Sequence, residues 1–472
     1  MNQDRFRKFL VFLAGVVVVL AVLRQGVTVG FPPSPKEVVE LLKWFLTSRP
    51  IDVKPAGQTM FVTRADILLV ITAILWVIWL AVKRRAASPG SVAIAVFLLG
   101  IWPLVSWAGA AFKLGEKQEL LMGRREALQY AAYFIFAFAL FATVLRKASA
   151  RGMAFVFLLA GAAAVGVGVY ILVQGARGAA TKDLALTVAG FEGWPSHARL
   201  AVVLAPMFFG LAAFDSNFLR QLFWGIATLA ALGTCIYGPL IVVALLVILV
   251  LAMLRSERLF ALLAVLLLIL LPFAGYLPWG SSRDEAAKEL WLASPSQSVT
   301  TTEAARLKGE ACASALTAIR QNVLLGKGPS ASIEVPSLKE RLQAAPTEQD
   351  RIALAGAATP APYLLTAATM GVPMVVFFIW VFVLFAKRSL SAFVQTPEPI
   401  EQALAMGLFG AVLVFAIGSA WVPTVVHETG IVLAFLLACI WRLSEAEPFI
   451  EPPRPARTKQ KAKPTDLLLD LS

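Results

Sequence analysis

Histidine and cysteine are scarce in this chain. Its 472 residues include two histidines and three cysteines. The cysteines, Cys235, Cys312 and Cys439, are far apart in sequence and lack the short spacings that metal ligands usually show. This distribution argues against a zinc site or a disulfide framework. We therefore expect neither a metal nor another cofactor.

Charged residues are also few. They make up 15% of the chain, whereas hydrophobic residues make up 59% and the mean hydropathy is +0.77. A soluble domain would have more apolar side chain than interior to bury it, whereas a bilayer accepts apolar surface on every side. The composition therefore predicts a polytopic membrane protein. The formal net charge of +13 arises mostly in short basic clusters beside apolar runs, which favours topology signals over a nucleic-acid surface.

The apolar runs predict an all-α fold with about twelve transmembrane helices, because roughly twenty apolar residues cross the hydrocarbon core. The predicted spans are Phe9–Leu23, Ala65–Val82, Ser91–Ala111, Ala127–Val144, Met153–Val173, Leu200–Ala213, Leu222–Tyr237, Leu240–Leu254, Phe260–Leu277, Ala361–Ala386, Ala403–Val422 and Val425–Trp441. Within Leu222–Leu254, Gly238-Pro239 is either a turn between two helices or a kink in one.

These spans divide the chain into four regions. Residues 1–280 hold transmembrane helices 1–9, and residues 281–360 form one long folded external loop. Residues 361–442 hold helices 10–12, and residues 443–472 are a basic tail whose composition predicts a disordered cytoplasmic extension.

The connectors between the spans alternate in charge. The short, basic connectors are Lys83-Arg84-Arg85, Arg146-Lys147 with Arg151, Arg255 with Arg258, and Lys387-Arg388. Each follows an even-numbered span, whereas the alternate connectors are longer and mix both signs. The positive-inside rule then places both termini in the cytoplasm and the long loop outside, which in a bacterial cell is the periplasmic face.

The long loop predicts helices of its own. Thr300 with Glu303, and Ser337 with Glu340, each match the capping box that begins a helix. Gly326 fits the C-cap of the first of these helices. A folded segment of this length is more than a passive connector between two spans.

Two arginines in the loop suggest a phosphate site. Arg306 and Arg320 are fourteen positions apart, which puts them within about forty degrees of one face of a continuous helix. Guanidinium groups with Lys308 or Lys327 nearby match the oxygens of a phosphate or pyrophosphate. The alternative is that Arg306 pairs with Glu303 or Glu310 and that Arg320 faces water.

The first external connector contains a second helical pattern. Residues 36–46 carry apolar side chains at helical spacing, namely Val38, Val39, Leu41, Leu42 and Phe45. The pattern indicates either an amphipathic helix on the membrane surface or an ordinary packed connector.

Several short motifs resemble the O-antigen ligase and polysaccharide polymerase superfamily. They are residues 190–201 (GFEGWPSHARLA), Arg306, residues 315–329 (ALTAIRQNVLLGKGP), Tyr363-Leu364 and Met370-Gly371-Val372-Pro373. The first is similar to that family's entry to a span, and the others are similar to its large outer loop and the helix that follows. With the topology, the resemblance covers most of the chain from about residue 190 to residue 441.

The resemblance implies an inverting glycosyltransferase of the bacterial inner membrane. Such an enzyme moves a glycan from an undecaprenyl-pyrophosphate carrier without metal or nucleotide. The implied partners are the lipid-linked glycan, membrane lipid and envelope polysaccharide-assembly proteins, with no nucleic acid. Arg306 matches the arginine of the family's loop. The positions of the family's histidine, asparagine and glutamate hold Pro360, Ala361 and Thr369, and Tyr237 stands where its carrier-binding arginine is expected.

An inverting transfer needs a base for the acceptor hydroxyl and positive charge for the departing pyrophosphate. The residues that the sequence offers for these roles are His197, His427 and Glu428 for catalysis, and Arg199, Arg306, Arg320 and Lys327 for phosphate. Both histidines also suit a capping or interfacial position near the end of a span. Two other functions stay open, a non-catalytic membrane scaffold or binding subunit with this fold, and a secondary transporter. A transporter calls for paired interrupted helices, for which only Gly238-Pro239 and the Met370–Pro373 region qualify, without a detectable repeat.

Overall fold

The computed structural model is built almost entirely of helices. It describes residues 3–23, 26–30, 34–47, 59–83, 91–114, 118–176, 196–233, 239–273, 301–329, 331, 333–345, 351, 354–355, 358–420 and 428–445. Among these residues, the helices long and apolar enough to cross a membrane number six: Arg5–Leu23, Arg64–Ala81, Ala93–Phe112, Gly123–Leu145, Val372–Gln395 and Pro399–Gly418. The chain is therefore an all-α, multi-pass membrane protein.

The α-helices of the described residues are α1 (Gln3–Leu23), α2 (Pro35–Thr47), α3 (Arg64–Lys83), α4 (Ser91–Leu114), α5 (Gln118–Ala131), α6 (Phe138–Leu145), α7 (Ala150–Ala176), α8 (Ser196–Phe214), α9 (Phe218–Gly233), α10 (Pro239–Arg255), α11 (Glu257–Phe273), α12 (Thr301–Gln321), α13 (Leu338–Ala344), α14 (Pro362–Met370), α15 (Val372–Gln395), α16 (Pro399–Gly418) and α17 (Glu428–Ser444). A π-helical segment, Ala132–Ala137, joins α5 to α6. The two strands are β1 (Gly26–Gly30) and β2 (Thr59–Thr63).

Six of the twelve predicted spans overlap the six long apolar helices. Five others overlap shorter apolar helices, namely Ala150–Gly166, Leu200–Phe214, Phe218–Leu232, Ile241–Arg255 and Thr429–Ser444. The remaining predicted span, Phe260–Leu277, overlaps α11. Several membrane crossings are thus supported, and the number twelve stays a prediction. α9 ends at Gly233 and α10 begins at Pro239, with the residues between them outside the described part.

Helices α8, α16 and α17 form the centre of the bundle. Nearly all side chains from Ala403 to Phe415, and from Ile431 to Leu443, are buried. α8 and α16 approach each other closely at two glycines, because a Cβ added to Gly210 would lie 2.5 Å from the Cα of Gly407. Small residues permit such contacts between membrane helices, where van der Waals packing drives association.

Two short strands link the first spans. β1 follows α1 and β2 leads into α3, and the strands pair antiparallel with Gly26 opposite Thr63 and Gly30 opposite Thr59. α1 and α3 pack together, so the ladder lies at the shared end of both helices. By hydropathy these residues belong to the connector between the first two predicted spans. Their β-branched side chains are typical of strands, but five-residue runs carry too little periodicity to predict pairing.

Part of the predicted external loop is a small helical unit. α12 and α13 begin where the sequence predicted helices, and their shared core is Leu307, Ala311, Val335, Ala345, Leu354 and Ala358. The Ser337 hydroxyl donates to the Glu310 carboxylate on α12, and it does not cap its own helix as the capping-box pattern predicted. Residues 281–300 of the predicted loop and 446–472 of the predicted tail lie outside the described residues.

Candidate functional site

The tenth predicted span, Ala361–Ala386, is interrupted at Gly371. α14 ends at Met370 and α15 begins at Val372, so one predicted helix is two. Gly371 has φ +86°, a conformation that disfavours side chains, and Pro373 stands in the first turn of α15. We call residues 367–372 the helix break.

A turn that follows α12 packs into the helix break. We call residues 322–328 the re-entrant turn. Its backbone hydrogen bonds to the break run from the Val372 N–H to the Val323 carbonyl (2.9 Å), from the Lys327 N–H to Ala368 (2.9 Å) and from the Gly328 N–H to Thr369 (2.8 Å). The Gly371 N–H donates to Ala367 at 3.0 Å. These bonds satisfy carbonyls that the end of α14 would otherwise leave without partners.

Helix α4 completes the binding of the re-entrant turn. The Trp102 indole N–H donates to the Met370 carbonyl at 2.9 Å, and the Ser106 hydroxyl donates to the Leu325 carbonyl at 2.6 Å. Neither residue is among the predicted site residues. Each is a donor inside a long apolar run, and that is the signal by which the sequence could have shown them.

Glycine makes the close approach possible. A Cβ at Gly326 would overlap the Thr369 carbonyl, and one at Gly371 would overlap the Leu324 carbonyl. Gly326 has φ +67° and Gly328 has φ +107°. α12 ends at Gln321, so Gly326 shapes the re-entrant turn and does not cap α12 as predicted. The glycines of the motif Gly326-Lys327-Gly328 therefore allow the backbone of the re-entrant turn to pack directly against the backbone of the helix break.

The helix break lies directly before the candidate span Val372–Gln395. Fifteen uncharged residues, 372–386, separate it from Lys387. They rise about 22 Å as a helix, whereas the hydrocarbon core is about 30 Å thick. Trp102, which contacts the break, is also near the middle of the span Ala93–Phe112. Irregular backbone inside a bilayer is tolerated only where protein satisfies its polar groups, and the re-entrant turn and Trp102 satisfy the carbonyls of the break here.

The structure places Arg306 and Arg320 on one continuous helix, as the sequence predicted. Fourteen residues of α-helix rise about 21 Å, so the two guanidinium groups cannot hold the same phosphate. Arg306 is 57% exposed, and its Nε lies 3.3 Å from a carboxylate oxygen of Glu310. This is the ion pair that the sequence offered as the alternative. Arg320 is exposed in the last turn of α12.

Lys327 is closer to the helix break. It lies in the re-entrant turn, its backbone N–H binds the Ala368 carbonyl, and its side chain is half-buried. Arg320 precedes the turn by two residues. Of the four residues predicted to bind phosphate, these two thus lie in, or directly before, the turn that docks on the helix break.

The other predicted site residues are only partly described. His197 and Arg199 lie in the first turn of α8, and Glu428 is the first residue of α17. Their side chains, and His427 as a whole, lie outside the described part of the chain. Their predicted roles therefore stay predictions.

Pro360, which stands where the O-antigen ligase superfamily has its histidine, is three residues before Tyr363, whose hydroxyl group links two helices. Pro360 and Ala361 precede α14, and the Tyr363 hydroxyl donates to the Ala416 carbonyl at 2.6 Å. This bond ties the start of α14 to the end of α16. Thr369, at the position of the family's glutamate, donates its hydroxyl to the Leu365 carbonyl one turn back in α14.

Together these features define a class, a multi-pass all-α membrane protein with a broken span and a re-entrant turn. The chain matches no protein-family model and no curated protein sequence. Its resemblance to the O-antigen ligase and polymerase superfamily therefore depends on the short motifs alone.

Proposed function

We propose that this chain acts in cell-surface polysaccharide assembly, as a membrane glycosyltransferase that transfers a glycan from an undecaprenyl-pyrophosphate carrier. The observation that carries the proposal is the docking of the re-entrant turn on the helix break. Gly326-Lys327-Gly328 and Met370-Gly371-Val372-Pro373 are two motifs of the resemblance, and they are in direct contact although about forty residues separate them.

The chemistry of this proposal needs positive charge near the membrane surface. A pyrophosphate leaving group gains negative charge as its bond to the sugar breaks, and a nearby cation stabilises it. Lys327 and Arg320 would meet the carrier, whose lipid tail stays in the bilayer. Arg306, about 21 Å along the helix from Arg320, would contact the glycan side of the substrate.

The same proposal needs a base for the acceptor hydroxyl. His197, near the start of α8, and His427 with Glu428, at the start of α17, are the residues that the sequence offers. The acceptor hydroxyl would give its proton to this base while its oxygen attacks the anomeric carbon. The bond from that carbon to the pyrophosphate oxygen would break in the same step, with inversion.

A non-catalytic scaffold or binding subunit is the second candidate. The observation that favours it is the ion pair between Arg306 and Glu310, which gives that arginine a structural partner. Pro360 and Ala361, at the positions of the family's histidine and asparagine, favour it as well.

A secondary transporter is the weaker candidate. A broken span at membrane depth is typical of transporters, whose ion sites use unwound backbone carbonyls. Here the carbonyls of the helix break, at Ala367, Ala368, Thr369 and Met370, already accept hydrogen bonds from protein donors. Occupied carbonyls are poor ligands for a transported cation, so this geometry favours a structural role for the break.

The test is a deletion strain of the source organism, complemented with wild type, with Lys327→Ala, or with Arg306→Ala. We expect deletion to remove or shorten a surface polysaccharide, and we expect both variants to restore less than a tenth of the wild-type amount at equal membrane levels. Lys339→Ala is the matched control, because Lys339 is an exposed lysine of the same helical unit.

The outcomes separate the candidates. If both variants complement fully, Lys327 and Arg306 have no catalytic role, and this outcome favours the scaffold function. If deletion leaves every surface glycan unchanged, the proposal itself is wrong. If Lys327→Ala fails and Arg306→Ala complements, the phosphate site is at the re-entrant turn and Arg306 serves the ion pair to Glu310.

A further inference from the structure

Helix α2 presents an apolar surface that the bundle does not cover. Val38, Val39, Leu42 and Leu46 are 41%, 51%, 47% and 78% exposed. At 100° per residue, these four positions fall within an arc of about 100° on the helix. Side chains of this kind in such an arrangement form a continuous apolar face, which is costly to leave in water.

A second face of α2 is polar. Lys36, Glu40, Lys43 and Thr47 fall within an arc of about 60°, which begins about 40° beyond the apolar face. Lys43 is 62% exposed, and its ammonium group binds Glu40 at 2.6 Å. This face suits water and lipid headgroups, and its charges exclude it from an acyl-chain environment.

The third face of α2 binds the bundle. Leu41 and Trp44 are each 8% exposed, and Phe45 packs against the main hydrophobic core. The guanidinium group of Arg64 lies 5.0 Å from the centre of the Trp44 ring, a cation–π contact. Ser34 and Glu37 form a reciprocal capping box that begins the helix. α2 is therefore a fixed element of the fold with three distinct faces.

The contact to Arg64 sets the height of α2. Arg64 is the first residue of the span Arg64–Ala81, and α2 lies in the chain between β1, which follows the first span, and β2, which precedes α3. The helix is thus level with the ends of two spans. An exposed apolar face at that height meets the boundary between headgroups and acyl chains.

We propose that α2 is an interfacial helix whose apolar face enters the lipid monolayer at this end of the bundle. Lipid is the occupant that fits, because a helix at the surface has three neighbours, namely protein at its side, acyl chains below and water above. The three faces of α2 match these neighbours in order around the helix. The inference does not depend on the proposed function, since it uses only α2 and the spans beside it.

The test measures the surroundings of single side chains in the reconstituted full-length protein. Cys235, Cys312 and Cys439 are first replaced by alanine, and a nitroxide label is then attached to Leu42→Cys or to its neighbour Lys43→Cys. Proteins whose gel-filtration profile matches that of wild type are placed in vesicles of phosphatidylcholine and phosphatidylglycerol. Spin-relaxation measurements then compare collisions with oxygen, which concentrates in lipid, and with a nickel chelate, which stays in water.

We expect the ratio of oxygen collisions to chelate collisions to be several-fold higher for the label at position 42 than for the label at position 43. The label at position 43 should collide more with the chelate than with oxygen. Val38→Cys and Thr47→Cys repeat the comparison on the same two faces. Equal exposure of positions 42 and 43 to the chelate would show that the apolar face lies in water, which overturns the proposal. Shielding of position 42 from both reagents would show a protein partner or a second copy in place of lipid, which overturns it as well.

Discussion

Lys308, on α12, is half-buried beside the core residue Leu307. Burial lowers the pKa of the Lys308 ammonium group from its ordinary value of 10.5, and the Cys312 thiol one turn later acts against this to a smaller extent. An ammonium group that is easier to deprotonate in the folded state destabilises that state while it is charged.

This shift in the Lys308 pKa predicts how the free energy of unfolding of α12 changes with pH. Between the lowered folded-state pKa and 10.5, the unfolded chain binds more protons than the folded one, so stability rises with pH across that window. Lys308→Met should remove the rise and stabilise α12 near neutral pH, by an amount on the order of 1 kcal/mol. Hydrogen exchange of the α12 amides at about pH 7 and about pH 9.5, corrected for intrinsic rates, measures both effects.

The control for Lys308 is Lys339→Met, at an exposed position on α13. It should leave the pH dependence of exchange in α12 as it is in wild type. An equal rise of stability with pH in Lys308→Met and wild type would show that another group causes it.

Arg306 and Arg320 illustrate what the sequence shows about single residues and what it omits. Their spacing of fourteen positions correctly predicted one helix and one face. Angular position alone, however, says nothing about the rise of about 21 Å between them, nor about the Glu310 carboxylate that binds Arg306. The choice between phosphate and ion pair depends on contacts that a helical wheel does not contain.

Among the elements, the pairing of the re-entrant turn with the helix break depends most on backbone conformation. Gly371→Ala would place a methyl group on the Leu324 carbonyl at φ +86°, which few side chains adopt. We expect the free energy of unfolding to fall by at least about 3 kcal/mol, because the backbone strain and the steric overlap add. The measurement is the temperature at which the purified protein in detergent loses its monodisperse gel-filtration peak.

Gly309→Ala is the matched control. Gly309 lies inside α12, and a Cβ there would meet nothing within 4 Å. Alanine favours a helix over glycine by about 0.5–1 kcal/mol, so this variant should be slightly more stable than wild type. Equal melting temperatures for Gly371→Ala and wild type would mean that the re-entrant turn does not dock on the break.

The helix break shows where prediction from pattern ends. Gly371 and Pro373 sit in an apolar run, and glycine is common inside intact membrane helices, where it permits close packing. What interrupts this span is a partner about forty residues earlier in the chain, together with Trp102 on α4. Hydropathy measures each segment by itself, so it detected the span, whereas the interruption was signalled only by the glycine and proline of Met370–Pro373.

At the scale of the whole molecule, the basic connectors predict which end of the bundle faces the cytoplasm. A fluorescent protein fused to either terminus should fluoresce, and alkaline phosphatase inserted between residues 346 and 350 should be active, because it folds only outside the cytoplasm. The same phosphatase inserted between Lys83 and Ser91 is the control and should be inactive. An inactive phosphatase between residues 346 and 350, with an active one between Lys83 and Ser91, would place α12 and α13 in the cytoplasm. This result would remove the basis of the proposed surface function.

The overall architecture was largely open to prediction because apolar runs of spanning length are a strong physical signal. The class of the fold follows from them, and the structure supports six of the runs by length and apolarity. The β1–β2 ladder was not predicted, since the strands Gly26–Gly30 and Thr59–Thr63 are separated by 28 residues of chain. Pairing between distant short segments is a property of the assembled chain.

The hydrogen bond between Trp102 and Met370 joins residues 268 positions apart, and this distance has a consequence for biosynthesis. The ribosome releases α4 first, the re-entrant turn much later, and α14 and α15 last. The turn is therefore synthesised before the two helices that form the gap it occupies. We expect the docking of the re-entrant turn on the helix break to be a late step in the folding of the protein. Pulse-chase labelling combined with protease cleavage of the loop would measure when it occurs.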